Sequence, residues 1–186
     1  MAEKLALHGG TPIRIDPMPH RALFGEEERS AAISLFDQAI AEGEAFGYNG
    51  PREAEYERRF VELMGSGYAD GVNSGTNALF VALGALSLDA MSEVIVPPIS
   101  DPGGVMPVVF CGCVPIPADA DPGTYNIGAD AIEARVSERT RAIIVAHIAG
   151  EPADMDRIVA IAEKYSLYIV EDCAQAHGAT TAVCVR

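Results

Sequence analysis

The sequence predicts an α/β protein, a mostly parallel sheet with helices on both faces. Three observations carry this. Short apolar runs alternate with stretches of helical period, which is the pattern of strand-helix-strand units. The last such run, Ile169-Val170, ends in Glu171-Asp172-Cys173-Ala174-Gln175-Ala176-His177, and polar side chains at the end of an apolar strand are where open α/β enzymes hold a cofactor. The composition, 49% hydrophobic and 22% charged over 186 residues, is that of one globular domain with a core of its own.

Each element follows from local pattern. Residues 25–44 carry Ala32, Leu35, Phe36, Ala39 and Ile40 at helical spacing, and 51–64 repeats it with Tyr56, Phe60, Val61 and Leu63. A Gly/Asn turn, Gly47-Tyr48-Asn49-Gly50, separates them. Strands are expected at 69–72, 94–97, 114–118, 142–146 and 168–170, with helices at 76–86, 104–110, 129–136 and 154–165 between them. Neither a repeat nor a linker divides residues 1–186, so a single domain is expected.

A net charge of −14 argues against sequence-independent binding to nucleic acid or to anionic membrane. The opening Met1-Ala2-Glu3-Lys4 does not read as a signal peptide, and no apolar run reaches the roughly 20 residues that span a bilayer. A cytoplasmic location is the expectation. Cys111, Cys113, Cys173 and Cys184 are too sparse for a disulfide framework and read as buried thiols.

Two segments carry chemistry. In Gly71-Val72-Asn73-Ser74-Gly75-Thr76-Asn77-Ala78-Leu79 a small-residue loop enters a helix, exposing unpaired N–H groups at a positive dipole end, a recipe for holding phosphate. The same residues also make an ordinary helix cap. The second segment centres on Asp172. A buried carboxylate needs a partner, and a protonated heterocyclic nitrogen is one such partner. Capping of the next turn is another, and a metal site from His147, Glu171, Asp172 and His177 is a third, disfavoured because no two histidines have ligand spacing.

The two segments in this order, with several βα units between them, resemble the DegT/DnrJ/EryC1/StrS family of pyridoxal phosphate (PLP)-dependent aminotransferases. The resemblance begins at Leu5-Ala6-Leu7-His8-Gly9-Gly10-Thr11-Pro12 and runs through Gly50-Pro51 and Tyr56-Glu57. It continues in the Asn73 to Leu79 segment, Val96-Pro97-Pro98, the stretch from Asp119 to Ile127, and the stretch from Glu171 to Gly178. It implies the large, PLP-binding domain of fold type I, with amino transfer from an amino acid to a keto-sugar or keto-cyclitol, in a homodimer. It also implies that Gly75, Thr76 and Asn77 hold the cofactor phosphate, that Asp172 pairs with the pyridine nitrogen, and that Gln175 approaches the phenolic oxygen.

Departures from the family pattern carry expectations of their own. Asp101 stands where the family commonly stacks an aromatic on the cofactor ring, so it is expected to touch cofactor or substrate differently, with Pro102-Gly103-Gly104 bringing backbone close. Neither of the two lysines, Lys4 and Lys164, matches the family's Schiff-base lysine, so no catalytic residue is assigned and the 186 residues are expected to be inactive alone. The likeness stops after Ala179. The expectation is therefore an incomplete large domain lacking its last strands and the small C-terminal domain, and, with an uncovered edge and apolar faces, either prone to aggregate or dependent on a partner. Two other functions stay in view: a non-catalytic cofactor-binding or dimerisation module, and a nucleotide-binding α/β domain, which lacks G-x-G-x-x-G after its first strand. Arg14, Arg21 and Arg52 are candidates to meet a phosphorylated substrate or are surface charges.

Overall fold

A computed structural model describes residues 4–17 and 23–181. The chain separates into two compact units, residues 1–69 and residues 70–186.

The first unit holds two helices, α1 (Glu26–Glu42) and α2 (Pro51–Met64). Proline at the first position of α2 costs no hydrogen bond, because that N–H has no partner inside a helix. Both helices stop at a glycine in the left-handed region, Gly43 and Gly65. Neither helix contains a buried residue; its ring contacts are local, Phe36 edge-on to Phe46 and Tyr56 stacked on Phe60.

The second unit is built on a four-stranded parallel sheet in the order β2-β1-β3-β4, from β1 (Glu93–Val96), β2 (Val114–Pro117), β3 (Thr140–Ala146) and β4 (Tyr168–Asp172). Helices α3 (Gly75–Ala85), α4 (Met106–Phe110), α5 (Ala129–Glu133) and α6 (Met155–Tyr165) alternate with the strands. All of β1 is buried, and of β3 only Arg141 is exposed, as central strands covered on both faces must be. Side chains alternate between two cores. On one face Ile95, Ile143 and Val145 pack with Ile132 of α5 and Ile158, Ile161 and Ala162 of α6. On the other Val94, Val96, Ala142 and Ile144 pack with Leu83 of α3 and Val108 of α4. Each buried Ile or Val contributes about 1.5–3 kcal/mol of transfer free energy.

These elements match the sequence expectations with one exception. Residues 69–72 are not a strand. Asp70 and Gly71 are poor strand formers in a run of only four residues, and Ser74 commits the following backbone to a helix start. The helix expected at 104–110 resolves into a 3₁₀ turn, Pro102–Gly104, followed by α4. Cys113 is buried and Cys111 and Cys173 are half-buried, all as free thiols, while Cys184 and Arg21 lie outside the described residues. Among the described residues no helix is long and apolar enough to cross a membrane.

Candidate functional site

The chain order β1, β2, β3, β4 and the spatial order β2-β1-β3-β4 place the reversal of direction between β1 and β3. In parallel sheets the loops leaving the carboxyl ends of the strands at such a reversal form a ligand crevice. Here those are the loops after Val96 and after Ala146.

Helix α3 opens beside them. Ser74, in extended conformation, caps it by accepting the Asn77 N–H at 3.2 Å, and Asn77 Nδ2 donates to Asn73 Oδ1 at 2.6 Å. The cap takes one of the free N–H groups of the first turn, and the space at Gly75 is open, with no neighbouring atom within 4 Å of where a β-carbon would stand. Thr76 points its hydroxyl at the loop after β1: a β-carbon on Gly103 would lie 2.3 Å from Thr76 Oγ1. Asp101 caps the 3₁₀ turn of that loop, its Oδ1 accepting the Gly103 N–H at 2.8 Å. The exposed Asp101 side chain thus has a structural hydrogen bond within its own loop.

Asp172 ends β4. Its place in the alternation of β4, two residues after Val170, sets it on the α3 face of the sheet, where α3 packs against β4. It is half-buried rather than fully buried. Oδ1 accepts the Ala174 N–H at 3.0 Å, and Oδ2 stands 3.9 Å from the β-carbon position of Gly104. The adjacent glycines Gly103 and Gly104 are therefore faced by Thr76 and by Asp172, so the start of α3, the loop after β1 and the end of β4 share one place. Gln175 is drawn toward a different loop, its Oε1 accepting the Ala149 N–H at 2.8 Å. Of the residues singled out from sequence, Gly75, Thr76, Asn77, Asp101, Asp172 and Gln175 all line the carboxyl end of this sheet.

The opposite face of β4 carries Glu171, which joins His147 and Cys173 in a cluster whose candidate ligand atoms lie within 4.8 Å of one another. His147 is buried. Its Nδ1 accepts the Ala153 N–H at 3.1 Å, so the ring proton resides on Nε2, which meets Glu171 Oε2 at 3.1 Å. Both ring nitrogens are thus engaged in hydrogen bonds within the protein. Burial first, then the Glu171 and Asp172 carboxylates, push the Cys173 thiol above its usual range. His177 is exposed and takes no part in this cluster.

Nothing local in the sequence singles out Asn126, which lies within the stretch from Asp119 to Ile127 that resembles the family. It is buried, donates from Nδ2 to the Glu151 carbonyl at 2.9 Å and accepts the Ile148 N–H on Oδ1 at 2.8 Å. A buried Asn between turn residues is a signal for such bridging. Lys164, at the end of α6, pairs with Glu133 at 2.7 Å, and this bond together with Tyr165 raises its pKa, which keeps it protonated. Arg14 donates to the Asp16 carbonyl at 3.1 Å, and Arg52 lies exposed in the first turn of α2.

The parallel sheet with a helix start and a strand-end carboxylate at its carboxyl edge defines the class: the fold is that of PLP-dependent aminotransferases. An aminotransferase structure from Psychrobacter cryohalolentis is similar at 38% identity and TM-score 0.78, covering 90% of this chain and 40% of that one. NtdA of Bacillus subtilis with bound cofactor PMP is similar at 28% identity and TM-score 0.79, covering 92% and 39%. The model of the DegT/DnrJ/EryC1/StrS aminotransferase family matches residues 27–183, and the chain belongs to that family. It is 37% identical over 185 residues to an L-glutamine:2-deoxy-scyllo-inosose aminotransferase of Streptomyces lividus, covering 96% of this chain and 42% of that protein. The chain thus spans about two fifths of the length of the curated relatives it matches.

Proposed function

We propose that residues 70–186 hold PLP at the carboxyl end of the sheet, with its phosphate on Gly75, Thr76 and Asn77, its pyridine nitrogen on Asp172 and its phenolic oxygen on Gln175. The observation that carries this is the meeting of Thr76 and Asp172 at the neighbouring glycines Gly103 and Gly104. The donor set fits the group. A helix start with open space at Gly75 suits a dianionic phosphate, and a half-buried carboxylate suits a ring N–H⁺. When bound, PLP supplies an electron sink for bond breaking next to nitrogen.

This chain's own residues then have separable tasks. The first turn of α3 binds and orients the phosphate through N–H groups and the Thr76 hydroxyl. Asp172 would keep the facing ring nitrogen protonated by accepting a hydrogen bond from its N–H⁺ on Oδ2, while Oδ1 remains tied to the Ala174 N–H. Gln175 donates from Nε2, because its Oε1 is engaged by Ala149. Asp101 fixes the 3₁₀ turn of the loop after β1 by accepting the Gly103 N–H.

A chain of the relatives' length, a homodimer in which residues 1–186 are the first part of a single large domain, would transfer an amino group from an amino acid such as glutamine to a keto-cyclitol or keto-sugar in the cytoplasm. Residues 1–186 alone would bind the cofactor reversibly without turnover, since Lys164, on α6 against the other face of the sheet, is held protonated by Glu133 of α5. The test is titration of the purified chain with PLP, followed by visible absorbance and by borohydride reduction. Saturable uptake without a covalent lysine adduct, weakened by Thr76→Ala, is expected; no uptake overturns the reading.

A further inference from the structure

We propose that Asn126 and the backbone of Ala149 are positioning residues that fix which end of the Gln175 amide faces the cofactor. The inference rests on the reading of Gln175 as a cofactor contact. Ala149 has φ +57°, ψ +24°, a left-handed conformation that side-chain-bearing residues enter only at a cost, and Gly150 follows at φ +87°. Such a conformation persists where neighbours over-determine it, and here they do. Ile148 N–H is bound by Asn126 Oδ1, the Glu151 carbonyl by Asn126 Nδ2, the Ala149 N–H by Gln175 Oε1, and the Ala153 N–H by His147 Nδ1. Four backbone groups in a six-residue loop are thus held by three side chains from outside its strained turn.

The chemistry decides the amide's orientation. An N–H can be satisfied only by an acceptor, so Ala149 selects the carbonyl end of Gln175 and leaves its NH₂ as a donor directed elsewhere. Asn126 has both ends matched, its carbonyl to an N–H and its amino group to a carbonyl, so its own orientation is unambiguous. Its burial means that removing it leaves the Ile148 N–H and the Glu151 carbonyl without a side-chain partner in the turn that presents Ala149. The free NH₂ of Gln175 suits an anionic oxygen, and donation to a phenolate lowers the pH at which the phenol loses its proton.

Two readouts test this in the 186-residue chain. Without cofactor, amide hydrogen exchange at Ala149 should accelerate about tenfold in Asn126→Ala and in Gln175→Ala, the size of one lost hydrogen bond. With PLP, both variants should raise the pH of the bound phenol's spectral transition. Gln175→Glu, which keeps the acceptor for Ala149 and loses the donor, should raise it further. The double variant Asn126→Ala/Gln175→Ala should shift it no more than Gln175→Ala alone. Thr76→Ala should weaken retention and leave that transition in place. Asn126→Asp retains the acceptor for Ile148, and a smaller shift in the same sense is expected if Asn126→Ala folds poorly. Unchanged Ala149 exchange in Asn126→Ala, or additive shifts in the double variant, overturns the proposal. Failure of the chain to take up PLP would sink the functional reading, while Ala149 exchange would still decide the positioning role.

Discussion

Gly103 faces Thr76 so closely that a β-carbon on the glycine would stand 2.3 Å from the threonine Oγ1 and 3.4 Å from its Cβ. The φ of Gly103 is not positive, so the requirement for glycine here is one of space. The loop after β1 can approach the start of α3 only because that hydrogen is all Gly103 carries. The neighbouring Gly104 is bounded in the same way, by Ser100 Oγ at 2.1 Å.

Gly103→Ala should therefore act on the direction of the Thr76 hydroxyl. The clash is with the end of a rotatable group, so the protein relieves it by turning Thr76 to another rotamer, at a stability cost of about 1 kcal/mol. PLP retention should fall several-fold, measured by absorbance titration alongside urea unfolding. A stability loss with retention unchanged would remove Thr76 from the phosphate site.

Asp172→Asn separates structure from chemistry. Asparagine keeps an oxygen for the Ala174 N–H, so the turn after β4 should survive and stability should change by less than about 1 kcal/mol. What it loses is the negative charge at Oδ2. In a chain of the relatives' length, turnover should fall on the order of 10²-fold, the size of losing one preorganised electrostatic partner, with a much smaller change in cofactor affinity. Steady-state kcat set against the PLP dissociation constant checks this; parallel losses in both would make Asp172 structural.

Glu93, buried at the start of β1, gives a pH prediction outside the site. Its carboxylate accepts from Ser137 Oγ and pairs with Arg139, and these bonds, the serine's first, hold its pKa below the usual carboxylate value against the opposing effect of burial. A group depressed on folding contributes stability above its unfolded pKa of about 4.3 and loses it as pH falls through the folded value. Glu93→Gln should thus lower the thermal midpoint near pH 7, and the gap to the parent should close below about pH 4. A gap independent of pH would assign the effect to packing.

How much of this was legible in the chain follows from the range of each interaction. The strands and α3 to α6 were readable because their burial imposes period and composition locally, as in the all-apolar run of β1 or the Ser74 cap. Thr76, Asp101, Asp172 and Gln175 were readable as positions at element ends. Their partners were not. Nothing local in Ala149 announces a positive φ, which arises from Asn126, 22 residues away at Ile148, and from Gln175, 26 residues away. The expected strand at 69–72 failed for a local reason that its apolar ends Ala69 and Val72 conceal: Asp70 and Gly71 between them are poor strand formers, and Ser74 opens α3 just beyond.

Ala149 itself supplies the last prediction. The left-handed region costs an L-residue about 1–2 kcal/mol, and glycine is free of that cost but loses about 0.4–1 kcal/mol through its looser unfolded chain. Ala149→Gly should accordingly be neutral or stabilising by up to about 1.6 kcal/mol, and because it keeps the N–H, the bond to Gln175 and the PLP titration should be unchanged. Ala149→Val places a branched side chain in the same conformation and should destabilise by more than about 1 kcal/mol. Urea midpoints at constant slope decide between these signs. A destabilising glycine with a tolerated valine would mean that the turn adopts an ordinary negative φ in solution, and that Gln175 is oriented by something other than this loop.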